Sequence, residues 1–226
     1  MTYRERLPPA SSRAAVACLW SRTASARVEQ RIVPDACVDV LWHRETGALF
    51  VAGPDTGPHL TTTEPGTLVG LRFATGATAL GPPAHTLRDH RIDLADLWSE
   101  RAARSLAHRL AETPDTTSAQ RLLLDAFPAA LSPRVAMIRR LATGRVRDIA
   151  DTLGLGERQL HRECLRAFGY GPKTLHRVVR FTEALRLARS GTAFAEVAHL
   201  SGYADQPHLA RDVRDLAGVP LGELIG

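Results

Sequence analysis

Cysteine is scarce in this 226-residue chain, and the three present, Cys18, Cys37 and Cys164, are far apart with no Cys-x-x-Cys pair. That excludes a disulfide framework and a zinc knuckle and fits a reducing compartment. Apolar runs are short: none approaches the ~18 residues that a membrane span requires, so no membrane association is expected. The opening stretch Met1–Pro9 carries charges and two prolines but no apolar core of the signal-peptide kind, and a cytoplasmic location is the expectation. Lysine is nearly missing too, since Lys173 stands alone among 29 basic residues. No Gly-x-Ser-x-Gly elbow, phosphate-binding Walker loop or His-Glu-x-x-His motif occurs, so no enzymatic activity is expected. Asp93 and Asp96, three apart, read as helix N-terminal charges rather than as a catalytic pair. His43, His59, His85 and His90 lack the His-x-His spacing with a following Glu that would suggest a metal site, and neither a metal nor a cofactor is expected.

The remaining composition is that of an ordinary globular chain, with 44% hydrophobic and 23% charged residues, enough for a sizeable core. The net charge of +5 is unevenly placed. Residues 132–226 hold 15 basic and 10 acidic side chains, whereas residues 1–131 hold 14 of each. A neutral half joined to a basic half suits a sensor or scaffold attached to a nucleic-acid-binding module.

The two halves also differ in periodicity. Val38–His43 alternates Val38, Val40 and Trp42 against Asp39, Leu41 and His43, and Leu49–Ala52 and Thr67–Phe73 are further strand-like runs. Gly53–Pro58 and Glu64–Gly66 are turn clusters. An antiparallel, small-barrel-like sheet is expected there, followed by helices over Leu97–Leu110 and Ser118–Leu131 with a break at Thr113–Thr117. Leu131-Ser132-Pro133 marks a boundary, because Ser-Pro suits a helix start. Beyond it the chain reads as helix and short turn throughout: Val135–Ala142, Arg147–Leu153, Glu157–Phe168, Pro172–Ser190, Ala193–Ser201 and Gln206–Ala217. The expected class is therefore α+β, with a β-rich unit over 1–131 carrying trailing helices and an all-α unit over 132–226.

The all-α half contains a repeat. Ile149-Ala150-x-x-x-Gly154 recurs 48 residues later as Val197-Ala198-x-x-x-Gly202, and Leu160-x-x-x-Cys164-x-x-x-Phe168-Gly169 recurs 49 residues later as Leu209-x-x-x-Val213-x-x-x-Ala217-Gly218. Each unit is a short helix, a glycine turn and a longer helix, the helix-turn-helix arrangement that offers its second helix to a DNA major groove. On Glu157–Phe168, Leu160, Cys164, Leu165 and Phe168 share one side, while Arg158, His161, Arg162 and Arg166 share the other. Arginine can hold the O6/N7 edge of guanine through two hydrogen bonds.

These two stretches resemble the AraC/XylS family of bacterial regulators. The residues that carry the resemblance are Ile149-Ala150…Gly154-Leu155…Arg158-Gln159-Leu160-His161-Arg162…Phe168-Gly169-Tyr170-Gly171-Pro172, and above all Ser201-Gly202-Tyr203-Ala204-Asp205-Gln206-Pro207-His208-Leu209-Ala210-Arg211. The resemblance implies a sequence-specific transcription regulator with two recognition helices in successive major grooves, linked by a rigid helix. Double-stranded DNA is the implied partner, with Arg158, Gln159, His161 and Arg162 and then Gln206, His208 and Arg211 reading bases. Arg166 belongs to the same DNA-facing side, and Lys173 and Arg177 are expected phosphate contacts. The chain departs from the family pattern at Gly156, where a Ser or Thr cap is common, at Asp212-Val213, and at Leu221, where proline is common. The second recognition helix is also more acidic, setting Arg211 and Arg214 against Asp205, Asp212 and Asp215. The first unit is thus expected to supply most of the electrostatic grip.

The first half resembles the β-rich domain of one group of these regulators, through Val33-Pro34-Asp35-Ala36…Leu41-Trp42, Val51-Ala52-Gly53-Pro54 and Gly70-Leu71-Arg72-Phe73. That likeness implies effector sensing or homodimerisation, and contact with RNA polymerase if the protein activates. Trp42, Arg72, Phe73 and Trp98 are the candidate lining of a small-molecule effector pocket; the alternative is plain core for the aromatics and an ion pair for Arg72. An enzyme or repair protein fused to a helix-turn-helix module would need a metal cluster that Cys18 and Cys37 alone cannot form.

Overall fold

The computed structural model describes residues 1–226. Eight strands occupy the first 93 residues. β1 (Thr2–Arg6), β2 (Val16–Ala24), β7 (Gly66–Phe73), β4 (Asp39–His43), β5 (Leu49–Ala52) and β8 (Arg91–Asp93) lie side by side in that order, antiparallel throughout. β3 (Val28–Ile32) and β6 (His59–Thr63) form a separate antiparallel pair. The barrel-like element thus consists of two sheets, with β1 and β8 as the edges of the larger one.

Side-chain alternation decides which face of the large sheet is core. Leu19, Val40, Trp42, Leu49, Val51, Val69, Leu71 and Phe73 point to one face and pack against Leu106 and Leu110 of α3 (Glu100–Ala111), Leu123 of α4 (Thr116–Ala126) and Phe127. The opposite face carries Cys18, Trp20, Leu41 and Leu68. Because β4 is covered on both faces, every one of its five residues is buried. Two short helices, α1 (Ala84–Leu87) and α2 (Leu94–Leu97), flank β8.

The helix boundaries shift from the sequence expectation for local reasons. Trp98 is extended, and α3 starts at Glu100, where Ser99 caps it by accepting from the Ala102 amide at 3.3 Å. α4 starts at Thr116 under an Asp115 cap that accepts from Ser118 N at 2.8 Å. It stops at Ala126, well short of Leu131, because Pro128 disfavours a helical Phe127. Phe127 then turns its ring into the core, stacked on Trp98 at 4.8 Å and edge-on to Phe73 at 6.4 Å.

This packing corrects the candidate effector set. Trp42 and Phe73 are fully buried, and Trp98 closes the same core through Phe127. Arg72 projects from the other face of β7 and is bound to Asp39 at 3.0 Å and to Asp35 at 3.3 Å. The four residues therefore line no common space: the aromatics are core and the arginine is ion-paired. No three His, Cys, Asp or Glu side chains gather into a metal-binding group.

The second half is entirely helical: α5 (Pro133–Leu141), α6 (Val146–Thr152), α7 (Glu157–Phe168), α8 (Pro172–Arg189), α9 (Phe194–Leu200), α10 (Gln206–Ala217) and α11 (Leu221–Ile225). It holds two cores. One gathers Ile138, Ile149, Leu160, Cys164, Phe168 and the first part of α8. The other gathers Phe181, Leu185, Val197, Leu209, Val213, Leu216 and Leu221. The linking helix α8 contributes Leu175 and Val178 to the first and Phe181, Ala184, Leu185 and Ala188 to the second. The short helix α11, not anticipated from the sequence, buries Leu221 where the family pattern has proline. No helix is long and apolar enough to cross a membrane.

Candidate nucleic-acid interface

The repeat seen in the sequence is repeated in three dimensions. In each unit a short helix of seven residues, α6 or α9, is followed by a turn with a positive-φ glycine, Gly154 (φ 62°) or Gly202 (φ 80°), and then by a twelve-residue helix, α7 or α10. Ala150 and Ala198, both buried, let the short helix approach closely. Both long helices end at a left-handed glycine, Gly169 (φ 80°) and Gly218 (φ 73°), a conformation that costs a side-chain-bearing residue roughly 1 kcal/mol or more.

α7 is divided cleanly into two faces. Leu160, Cys164 and Phe168 are buried, whereas Arg158, Gln159, His161, Arg162 and Arg166 are exposed. None of the three arginines forms an ion pair; the one acid of α7 that does, Glu163, pairs with Arg134 at 3.5 Å. The α7 start at Gly156 has no side-chain cap, so its first amides remain free. His161 leans over the junction with α8: a Cβ added at Gly171 would lie 2.6 Å from its Cε1. Lys173, in the first turn of α8, is exposed.

α10 is built differently. Asp205 caps it by accepting from the His208 amide at 2.7 Å. Gln206 and Arg211 are exposed, but His208 is half-buried, edge-on to Tyr203 at 5.1 Å, with its Nδ1 accepting from the Ala204 amide at 3.4 Å. Of the three acids read from the sequence, Asp205 and Asp215 are exposed and Asp212 is internal. Asp212 is buried and binds Arg177 (Nε to Oδ1, 2.7 Å), Arg180 (3.6 Å) and the Tyr203 hydroxyl (3.0 Å). Arg180 in turn lies over the Tyr203 ring at 4.4 Å and donates to the Gly202 carbonyl at 3.3 Å. This cluster ties the linking helix to both the turn and the recognition helix of the second unit.

Arg177 was expected at phosphate. The structure commits it to Asp212 and, at 3.4 Å, to Asp215, and its half-buried position leaves it a fastening for α10. Sequence reasoning missed Arg180, Tyr203 and Asp212 as one unit. The signal was present: Arg177 and Arg180 are three apart on α8, and Asp212 and Asp215 are three apart on α10, matched ridges of opposite charge.

Residues 149–225 match the family model described as a helix-turn-helix domain, and residues 4–93 match one described as a domain of unknown function (DUF6597). A search of curated proteins finds no match. Among solved structures, an apo variant of ToxT from Vibrio cholerae is 11% identical, covering 90% of this chain and 98% of that one with a TM-score of 0.49. ToxT from the same organism with an unsaturated fatty acid bound is 12% identical, covering 92% and 93%, with a TM-score of 0.45. At these values the likeness gives no residue here a role. The double helix-turn-helix and its family match define a DNA-binding transcription regulator. The matched helix-turn-helix region, residues 149–225, is the part of the chain that carries the resemblance to the AraC/XylS regulators.

The two basic residues of α8 should separate in a salt titration of DNA binding. Lys173→Ala is expected to reduce the slope of log affinity against log salt by about one, as loss of a phosphate contact does. Arg177→Ala should leave that slope unchanged and lower the urea midpoint instead. A reduced slope with unchanged stability in Arg177→Ala would return that residue to the DNA surface.

Proposed function

We infer that α7 and α10 enter successive major grooves on one face of a double-stranded operator. Arg158, Gln159, His161 and Arg162 read the first groove, and Gln206, His208 and Arg211 the second. Arg166 and Lys173 hold phosphate oxygens. The single observation that carries this reading is the outer face of α7, where three arginines are exposed and free of any carboxylate. A guanidinium left unpaired beside a basic surface is suited to a phosphate or a guanine edge. The division falls at residues 131 and 132, with residues 1–131 sensing an effector or pairing two copies of the chain. The protein works in the cytoplasm without catalytic chemistry, and as an activator it would contact RNA polymerase.

A second observation bears on the effector. Arg22, on β2, is only 7% exposed and reaches across to the Thr63 hydroxyl on β6, bridging the two sheets. It has no carboxylate partner, burial pulls its pKa down, and its Nε is buried without a partner, as is Oε1 of Gln30 on β3, the strand paired with β6. A buried guanidinium without a counter-charge is costly. Trp20 and Leu68 share its face of the large sheet. An organic anion with an apolar body is the ligand class that would supply the missing counter-charge at Arg22, away from the face carrying Trp42, Phe73 and Trp98.

Selection from a pool of random duplexes tests the main reading. Two half-elements about one helical turn apart are expected. On that site Arg162→Ala should cost about 1–3 kcal/mol and relax base preference, more than Arg211→Ala at the same salt. Enrichment of no sequence, or a larger loss in Arg211→Ala, would contradict it. For the effector, a panel of monocarboxylates and their primary amides is compared by thermal shift. Carboxylates should raise Tm, amides should not, and Arg22→Met should remove the response. Equal shifts from both members of a pair would end the anion reading.

A further inference from the structure

The turn Gly53–Pro58, between β5 of the large sheet and β6 of the small one, touches both helix-turn-helix units. Its Pro54 ring covers Gly169 at the end of α7, where an added Cβ would stand 2.7 Å from Pro54 Cγ. Its Pro58 ring covers Gly218 at the end of α10, with the corresponding distance 3.3 Å. Between them the Asp55 carbonyl accepts from the Tyr170 hydroxyl, directly after Gly169. An arginine of the first half reaches each helix end: Arg88 Nη1 donates to the Gly169 carbonyl at 3.2 Å, and Arg31 Nη1 to the Ala217 carbonyl at 3.1 Å. The last carbonyls of a helix lack intrahelical partners and carry the negative end of its dipole, so a cation donor is well placed there.

The turn itself is held stiffly. Arg91 grips the buried Asp55 carboxylate with two hydrogen bonds of 3.0 and 2.7 Å. Asp89 accepts from the Thr56 amide at 2.6 Å and from its hydroxyl at 3.0 Å, and the Asp89 amide donates to the Pro54 carbonyl at 3.1 Å. Gly53 admits no side chain, since a Cβ there would fall 1.7 Å from the Leu87 carbonyl oxygen.

From this arrangement we propose that the Gly53–Pro58 turn, with Arg31 and Arg88, is the positioning element that sets the separation of the two recognition helices and hence the operator spacing the protein accepts. The proposal rests on the two-groove reading of α7 and α10. The linking helix α8 joins the two units on one side, and the turn spaces them at the ends farthest from their first turns. The two clamps come from different elements, Arg31 from β3 of the small sheet and Arg88 from the end of α1, just before β8 of the large one. A displacement of one sheet against the other would therefore reach the helices as a change of spacing. Arg31, Arg88, Pro54 and Pro58 are positioning residues, with no place on the DNA face.

The test uses the full chain and the selected operator with its spacer lengthened or shortened by one and two base pairs. Each base pair inserted turns one half-site by roughly a tenth of a helical turn relative to the other. Wild type is expected to lose about tenfold in affinity per base pair of change. The Arg31→Met, Arg88→Met double variant should bind the best spacing somewhat more weakly and lose no more than about threefold at the others. Pro54→Ala, Pro58→Ala, which leaves every charge in place, should give the same flattened profile and serves if the arginine pair fails to fold. Folded variants that keep the wild-type profile would overturn the proposal. A wild-type chain that accepts all spacings equally would overturn it too, while leaving the two-groove reading standing. Selection of one short undivided element would instead remove the two-groove reading and the spacing role with it.

Discussion

A helix that reads DNA must keep its outer face and first turns free, so whatever holds it can act only on its inner face and its far end. α7 and α10 obey this constraint in the same way. Leu160, Cys164 and Phe168 anchor one, Leu209, Val213 and Leu216 the other, and both stop at a left-handed glycine against which the first half of the chain packs. Burying each of these large apolar side chains is worth about 1.5–3 kcal/mol, enough to fix the helices without any contact on their outer sides. α10 needs more, because it and its cap carry three acids. Asp205 serves as its cap and Asp212 is turned inward, where two arginines and a tyrosine hydroxyl neutralise it. Removing either arginine would leave the buried carboxylate short of counter-charge, so Asp212 fixes where α10 sits on α8, while the outer face keeps Gln206, Arg211 and the exposed Asp215.

The first half of the chain is joined to both reading units at once. Had the β-rich half been tethered only through the Leu131–Pro133 segment, its state would have little bearing on the helices. Instead Val33 packs against the second helical core and Ala36 belongs to the first. The proline and arginine contacts at Gly169 and Gly218 complete the connection. Allosteric coupling requires an element whose arrangement both sites can bias. The Gly53–Pro58 turn joins the two sheets and touches both helix ends, so it is the place where such a bias would act.

Much of the second half was legible in the sequence because its signals are local. Glu157–Phe168 and Gln206–Ala217 are helices with the boundaries that apolar periodicity and terminal glycines imply. The first half was legible in part: Leu49–Ala52 alternates in burial as in sequence, and Val38–His43 and Thr67–Phe73 read as strands even though β4 is covered on both faces. β2 escaped because Ser21, Arg22 and Thr23 interrupt its apolar run, and β3 and β6 escaped because they are short, largely polar and mostly exposed or half-exposed. Residue roles that depend on partners from other elements were not legible. Arg177 reads as a phosphate contact until Asp212 is placed beside it, and Arg72 reads as pocket lining until strand parity turns it away from Phe73. The Gly53–Pro58 cluster reads as a plain turn, since nothing in it reveals that it meets two helices more than a hundred residues away.

The central claim is that α7 and α10 stand at a fixed separation before DNA arrives. A distance measurement between nitroxide labels tests it most directly, with labels on the short helix of each unit, at Asp151→Cys on α6 and Glu196→Cys on α9, in a chain whose half-exposed Cys37 is replaced by serine. Both labelled positions are exposed. A single narrow distance distribution in the free protein, unchanged when operator is added, is the predicted result. A broad distribution that narrows only on DNA would contradict the account and make the operator, rather than the protein, the source of the spacing.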